Sequence, residues 1–322
     1  MIQIGMHQLK KGGRLQEMLP VVNHELELPF CAVSGEKEGP VVLISAGIHG
    51  AEYIGIQTAM ELSREIKPSQ VNGTIIFLLV ANPQAASSYT RLFVPEDGKN
   101  LNRMFPGKKD GTLSEKIAYT IEKELQNQAD FYIDLHAGDS HESVMPFVYY
   151  AGAAKEKVSE ASRKMAEATG MSLRVRSSAT TGSYNFAAIQ GIPSILMERG
   201  GGGVFGLKEL ASYKQEVKNV LAHLRVLKDV SPPAKKFQTE VLTASYIDSE
   251  HQGFWYPAKK PGETFQKGEL LGTVKDVWGN VLQACYGQYD GIILYETVIM
   301  GVRKGDSLIA YGCTSNPCDP NS

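Results

Sequence analysis

The sequence predicts an α/β fold, a mostly parallel sheet flanked by helices and followed by a small all-β module. Three observations carry that expectation. Short, continuous apolar runs rich in β-branched residues recur at 41–46, 74–81, 131–136 and 192–198, each bounded by turn residues, as strands buried on both faces require. Stretches of helical period lie at 113–125, 154–168 and 207–227. After Ser231-Pro232-Pro233-Ala234, a Pro pair that ends a helix and marks a linker, Gly recurs, apolar runs shorten and no helical period persists. At 322 residues the chain exceeds one average domain, and the expected division is a catalytic domain at 1–230, an all-β domain at 237–312 and a polar tail at 313–322.

Residues 1–27 are mixed and weakly patterned, and 28–34 read as an early strand. The run 41–46, Val-Val-Leu-Ile-Ser-Ala, ends in the loop 47–50, after which Ile54, Ile56, Ala59, Met60, Leu62 and Ile66 follow a helical rather than an alternating pattern. His49 and Glu52 therefore straddle a strand-to-helix turn, and their spacing lets both side chains converge on one point. The outer end of such a strand is where open α/β sheets place ligands. An imidazole and a carboxylate suit zinc, which in catalytic sites takes three protein ligands; a capping Glu beside a loop His is the plainer alternative.

A third ligand has a matching context. The run 131–136 ends in His136, and Asp134, two residues earlier on the same face, is placed to orient it. His141, in the polar loop beyond, is a weaker candidate. The strand at 192–198 ends in Glu198, followed by Arg199 and the glycines at 200–203, which permit close backbone approach. A carboxylate beside a metal site can take a proton from water and deliver it to a leaving amine; pairing with Arg199 or capping the next helix would be its structural use. Between the ligands runs a long polar loop containing Asn82, Arg91, Asn102 and Arg103, in which the interleaved Leu101, Met104 and Phe105 argue for order. The two guanidinium forks suit a carboxylate or a developing oxyanion.

His49-x-x-Glu52, Arg91, Asn102-Arg103, His136 and Glu198, in this order, resemble the succinylglutamate desuccinylase and aspartoacylase family, relatives of the zinc carboxypeptidases, over roughly residues 40 to 205. The resemblance implies a zinc-carboxypeptidase-like mixed sheet flanked by helices. It implies one zinc per chain on His49, Glu52 and His136, with Glu198 as general base and acid. Arg91 would polarise the scissile carbonyl, and Asn102 and Arg103 would hold the substrate's α-carboxylate. One departure stands out: aspartoacylase carries a further Arg ten residues before the catalytic Glu, where this chain has Ala188, although the preceding Tyr is kept as Tyr184. Binding of a dicarboxylate should suffer, because a buried carboxylate would lack its partner; Arg174, Arg176 and Arg199 are the candidates to compensate.

In the all-β module, residues 265–272 echo 302–309, each with a Lys-Gly-acid turn. Such half-repeats resemble the biotinyl/lipoyl type of barrel-sandwich. The hairpin segment 275–280, Lys-Asp-Val-Trp-Gly-Asn, lacks the Met flank of a modifiable carrier Lys, so the expected role is packing over the zinc site, with Tyr246, Trp255 and Tyr256 as lid or core aromatics.

The expected function is a zinc-dependent deacylase that hydrolyses an N-acyl amino acid or N-acyl diamine to a carboxylate and a free amine. A zinc carboxypeptidase acting on small peptides and a non-catalytic metal-dependent binding protein remain the alternatives. A net charge of −2 and a pI near 6.4 give no broad basic field for nucleic acid. The first residues show no signal-peptide pattern and no stretch approaches a membrane span, so a cytoplasmic enzyme of small molecules is expected, with a homo-oligomer left open. Cys31 and Cys285 sit in apolar contexts as buried thiols, while Cys313 and Cys318 lie in the polar tail, where free ends are expected over a disulfide or metal clip.

Overall fold

The alternation of inward-facing residues explains why the central strands read as unbroken apolar runs. Val42, Ile44 and Ala46 point into one buried cluster and Leu43 into another; Ile133 and Leu135 oppose Tyr132 in the same way, as Ile195 and Met197 oppose Leu196. A strand covered on both faces has no solvent side to mark with polar residues. In the computed structural model, which describes residues 2–88, 92–228, 230 and 237–314, helices Tyr53–Glu65, Glu156–Thr169 and Leu207–His223 cover the first face. Helices Leu113–Glu124 and Ser183–Ile189 cover the second. Burying each Ile, Leu or Phe of these layers stabilises the fold by roughly 1.5–3 kcal/mol.

The centre of the sheet is parallel. Asn72–Leu78, Lys37–Ala46, Phe131–His136 and Ser194–Gly201 lie side by side with their carboxyl ends at one edge. Antiparallel strands flank them, Glu27–Ser34 and Arg14–Pro20 on one side and Glu142–Ala151 on the other. The mixed sheet is thus as the family resemblance implies. The predicted helices appear close to their expected bounds. Sequence periodicity missed Ser183–Ile189 and Glu142–Ala151, and it missed Leu173–Ser177, whose two arginines break any apolar run. The weakly patterned N-terminal segment contains Ile2–Ile4, His7–Leu9 and Arg14–Pro20.

The C-terminal segment does not stay separate from this sheet. Gly291–Thr297 pairs with Glu142–Ala151, and Ser307–Cys313 and Ala244–Asp248 continue outward, making one sheet of 13 strands. Gly253–Pro257, Leu270–Lys275, Val281–Tyr286 and Gly301–Val302 form a second, 4-stranded sheet. The two share a core of Trp255, Phe265, Leu271, Val274, Ile293 and Tyr311. The internal echo is structural: Gln266 N donates to Glu269 Oε2 at 3.0 Å and Arg303 N to Asp306 Oδ2 at 2.8 Å, and Gly268 and Gly305 both take positive φ, +80° and +88°.

Cys31 and Cys285 are buried free thiols. Cys313 differs from expectation: it is the buried last residue of its strand and takes part in a disulfide. Cys318 and the linker at 231–234 lie outside the described residues. Among the described residues no helix is long and apolar enough to cross a membrane.

Candidate metal centre and active site

Strand register brings the dispersed candidates together. Glu198 pairs with His136 across adjacent parallel strands, while Ala46, three residues before His49, pairs with Leu135. All three strands therefore deliver the side chains at their ends to the carboxyl edge, where the chain leaving Lys37–Ala46 turns into helix Tyr53–Glu65. That turn is tight: a Cβ on Gly50 would lie 2.2 Å from the Ala85 carbonyl carbon, and one on Gly55 2.8 Å from the Leu135 oxygen. Only glycine lets the His49–Glu52 turn and the first turn of its helix sit this close to their neighbours.

His49, Glu52 and His136 each offer a ligand atom, all within 4.8 Å of one another. Glu52 is the N-cap of helix Tyr53–Glu65, yet its side chain makes no capping hydrogen bond. Its Oε1 stands 2.7 Å from His49 Nδ1, and its Oε2 3.0 Å from His136 Nδ1. The capping alternative therefore does not hold. The imidazoles meet edge to face with centroids 5.0 Å apart.

The far side of each imidazole is fixed by the protein. Asn100 Oδ1 lies 3.2 Å from His49 Nε2 and also accepts from Asn102 N at 2.8 Å. Asp134 Oδ2 stands 3.3 Å from His136 Nε2, the orienting place expected for it. Behind Asp134 runs a hydroxyl ladder. Ser45 Oγ donates to Asp134 Oδ1 at 2.5 Å, which leaves it to accept from Tyr132 Oη at 2.6 Å. The tyrosine in turn accepts from Ser183 Oγ at 2.5 Å. Tyr213 Oη donates to the His136 carbonyl at 2.8 Å. Asn100, Ser45, Tyr132 and Ser183 were not found from the sequence, although Ser45 was visible as the polar residue of an apolar run, on the face that also carries Asp134.

Electrostatics separates the carboxylates. Burial raises the pKa of Glu52, but the His136 and His49 imidazoles outweigh it and hold the group below its ordinary value. Glu198 goes the other way: burial lifts it well above the carboxylate range, with Glu52, Glu142 and Asp134 adding to the lift and His136 opposing. Burial lowers His136, yet Glu52 and Asp134 raise it well above the usual imidazole value. Among the described residues the buried Glu198 Oε2 has no hydrogen-bond partner. The described protein groups leave that oxygen unsatisfied, and two imidazoles with a carboxylate are the donor set of catalytic zinc; the residues present fit such an ion.

Asn102 is buried and its Oδ1 accepts from Ser183 N at 2.9 Å, which ties the loop to helix Ser183–Ile189. Arg103 is exposed, with Nη1 3.3 Å from the Asn102 carbonyl. Tyr184 is buried within electrostatic reach of Glu198. Arg91 lies outside the described residues. The guanidiniums named as compensation for Ala188 are engaged elsewhere: Arg174 on Gln238 and Glu240, Arg176 on the Gly152 carbonyl, Arg199 on Glu209 and Glu216. Arg199 therefore does not pair with Glu198. His141 stands outside the ligand group, 3.7 Å from Asp139 Oδ1 and 3.9 Å from Glu142 Oε1. The glycines at 200–203 approach the 138–142 turn, with Gly202 N donating to the Asp139 and Glu142 carbonyls at 2.9 Å each. Among the lid candidates Trp255 is core, Tyr256 is exposed under Lys275 Nζ at 4.7 Å, and Tyr246 is exposed with its Oη 2.9 Å from Tyr149 Oη.

The model of the succinylglutamate desuccinylase/aspartoacylase catalytic domain matches residues 38–224, more than half of the chain and all of this centre. The chain belongs to that family. Among its relatives is the Nα-acetyl-L-2,4-diaminobutyric acid deacetylase of Halomonas elongata, 28% identical over 308 residues that cover 90% of this chain and 88% of the relative. The product-bound ectoine utilization protein EutE (DoeB) of Ruegeria pomeroyi superposes with a TM-score of 0.84 at 25% identity, covering 96% of this chain and 98% of that one. A succinylglutamate desuccinylase/aspartoacylase of Rhodobacter sphaeroides gives 0.83 at 26% identity over 95% and 97%. The similarity to this family's structures extends through the C-terminal strands as well as the catalytic domain.

Proposed function

We propose that this member of the family is a zinc-dependent deacylase that hydrolyses the amide bond of an N-acyl amino acid or N-acyl diamine, releasing a carboxylate and a free amine. The observation that carries the proposal is the register of Glu198 with His136 at the edge where His49 and Glu52 converge. It sets a carboxyl of raised proton affinity beside a three-ligand metal group. The relatives' names, a deacetylase and a desuccinylase/aspartoacylase, support the reaction class.

His49, Glu52 and His136 would hold one zinc per chain, with Asn100 and Asp134 fixing the ring orientations. When bound, the ion supplies Lewis-acid polarisation of the acyl carbonyl and a more acidic water. Glu198 takes the proton of the attacking water at its unpartnered Oε2 and returns it to the nitrogen of the departing amine. By the family resemblance, Asn102, Arg103 and Tyr184 would receive the substrate's α-carboxylate and Arg91 would donate to the developing oxyanion, a donor role of about 3 kcal/mol in comparable sites. The experiment is an amine-release assay on N-acetyl-L-aspartate, Nα-acetyl-L-2,4-diaminobutyrate, N-succinyl-L-glutamate and a blocked dipeptide. Turnover of an N-acyl amino acid with a silent dipeptide supports the deacylase. Turnover of the dipeptide alone makes the chain a carboxypeptidase, and silence across the panel in metal-loaded protein removes the enzymatic proposal.

A further inference from the structure

An N-acyl amino acid has two arms at its amide, and Asn102 and Arg103 account for one of them. Tyr246 lies within electrostatic reach of Arg103 and Glu198, and Tyr184 within reach of Tyr246 and Glu198, so these groups gather on one side of the centre. The acyl arm leaves the carbonyl in another direction. A cavity of about 990 Å³ lies between the catalytic sheet and the C-terminal module, bounded by Leu92, Phe93, Phe254, Val277, Trp278 and Ile299 and by none of Arg103, Tyr184 and Tyr246. Two of its walls stand one residue away from the metal ligands. Phe93 forms a β-bridge with Asn100, whose Oδ1 is the 3.2 Å neighbour of His49 Nε2. Glu142 also lines the cavity, and its carboxylate is within electrostatic reach of His49, Glu52 and Glu198. Leu92 directly follows Arg91, the residue that the family resemblance sets at the scissile carbonyl.

The outer wall comes from the hairpin at 275–280. Val277 and Trp278 at its turn are 70% and 83% exposed, apolar surface of the kind a ligand covers. The charges around the cavity are spent locally. Asp276 accepts from Trp278 N and Asn280 N at 2.9 Å each and from Asn280 Nδ2 at 2.8 Å, all within its own turn. Arg303, the one guanidinium or ammonium among the described lining residues, stands 3.5 Å from Asp306 Oδ1. Glu142 is thus the lining charge that faces the centre, and a distal carboxylate on the acyl group would meet it without a free cation. An apolar chain meets aromatic and aliphatic side chains instead. The volume is at the upper end of the roughly 300–1,000 Å³ of small-molecule sites, more than an acetyl group fills.

We propose that this cavity is the acyl pocket and that it takes a neutral, apolar chain of medium length, from butanoyl to octanoyl, in preference to acetyl or succinyl. The inference rests on the deacylase reading for its catalytic meaning, but the pocket itself is a binding claim. It also gives the C-terminal module a direct part in specificity, since Phe254, Val277, Trp278 and Ile299 come from it.

The test varies the acyl group on one amine. For Nα-acetyl-, butanoyl-, hexanoyl- and octanoyl-L-2,4-diaminobutyrate, kcat/KM of metal-loaded wild type should rise by about two- to fourfold per methylene, the factor that burial of a CH₂ gives. The succinyl compound, which differs from butanoyl by a carboxylate in place of the terminal methyl, should fall at least about tenfold below it. In Trp278→Ala the octanoyl-to-acetyl ratio should drop about tenfold; Trp278 sits on an exposed turn, and Ile299→Ser, also at an exposed position, is the second variant. Calorimetric binding of octanoate against acetate reads the pocket without turnover, and octanoate should shift the emission of exposed Trp278 to the blue, with the effect reduced in Ile299→Ser. If no N-acyl compound is hydrolysed but octanoate binds and shifts that emission, the deacylase reading fails and the pocket stands. Turnover that is flat or falls with chain length, succinyl preferred over butanoyl, absence of octanoate binding, or a wild-type ratio retained in both variants would overturn the pocket.

Discussion

Two carboxylates that both keep some exposure to solvent have opposite surroundings. Glu240, on strand Thr239–Val241, accepts from Tyr150 Oη at 2.8 Å, Arg163 Nε at 2.8 Å and Nη2 at 2.9 Å, and Arg174 Nη2 at 2.7 Å. Burial opposes ionisation there, yet these donors hold the group at about 2. Among the described residues no guanidinium pairs with Glu198, and burial with three neighbouring carboxylates lifts it well above the ordinary range. The protein neutralises the first charge itself and leaves the second short of partners. That contrast separates a joint holding Thr239–Val241 to Leu173–Ser177 from the group proposed to transfer protons, and perturbation by desolvation is the physical mark expected of the latter.

The sharpest way to break the comparison is to neutralise each carboxylate in turn. Glu198→Gln should retain bound metal and thermal stability while kcat falls about 10²–10⁴-fold, the usual contribution of a positioned acid–base group; a metal assay beside steady-state kinetics checks both halves. Asp134→Asn should weaken metal affinity by about 10–100-fold, as loss of a ligand-orienting carboxylate does elsewhere, measured by competition with a chromogenic chelator. Glu240→Gln should leave kcat unchanged and cost roughly 2 kcal/mol at neutral pH through weakened charge-assisted hydrogen bonds, read from denaturant melts.

The last effect carries a sign. The folded-state pKa of Glu240 is depressed from 4.5 to about 2. Its contribution is therefore complete above the unfolded value and fades as pH falls from about 4.5 toward 2. The stability gap between wild type and Glu240→Gln should narrow over that window, and a gap independent of pH would assign the loss to packing.

The same contrast explains what the sequence made legible. Central strands were visible because burial on both faces forces continuous apolar runs, and their terminal His49, His136 and Glu198 stood out as polar groups where such runs stop. The ordered set then carried the family. Asn100 was hidden in a loop whose fold depends on distant partners. Glu142 and Tyr149 were hidden because their strand pairs antiparallel at the joint with the C-terminal segment and is partly open, so its residues follow no clean period. Nor could local pattern show that Gly291–Thr297 would extend the catalytic sheet, since strand partners so far apart in sequence leave no mark on either segment. Arginines 174, 176 and 199 looked available by composition alone, and only their partners, carboxylates for Arg174 and Arg199 and the Gly152 carbonyl for Arg176, reveal them as structural.

The measurement that bears most directly on the centre is metal content by mass spectrometry on wild type, His136→Ala and Glu240→Gln, each purified without chelator and confirmed folded. The account predicts about one zinc per chain in wild type and Glu240→Gln and almost none in His136→Ala. A wild type without metal, or a His136→Ala variant that keeps it, would contradict the assignment of His49, Glu52 and His136 as the metal site.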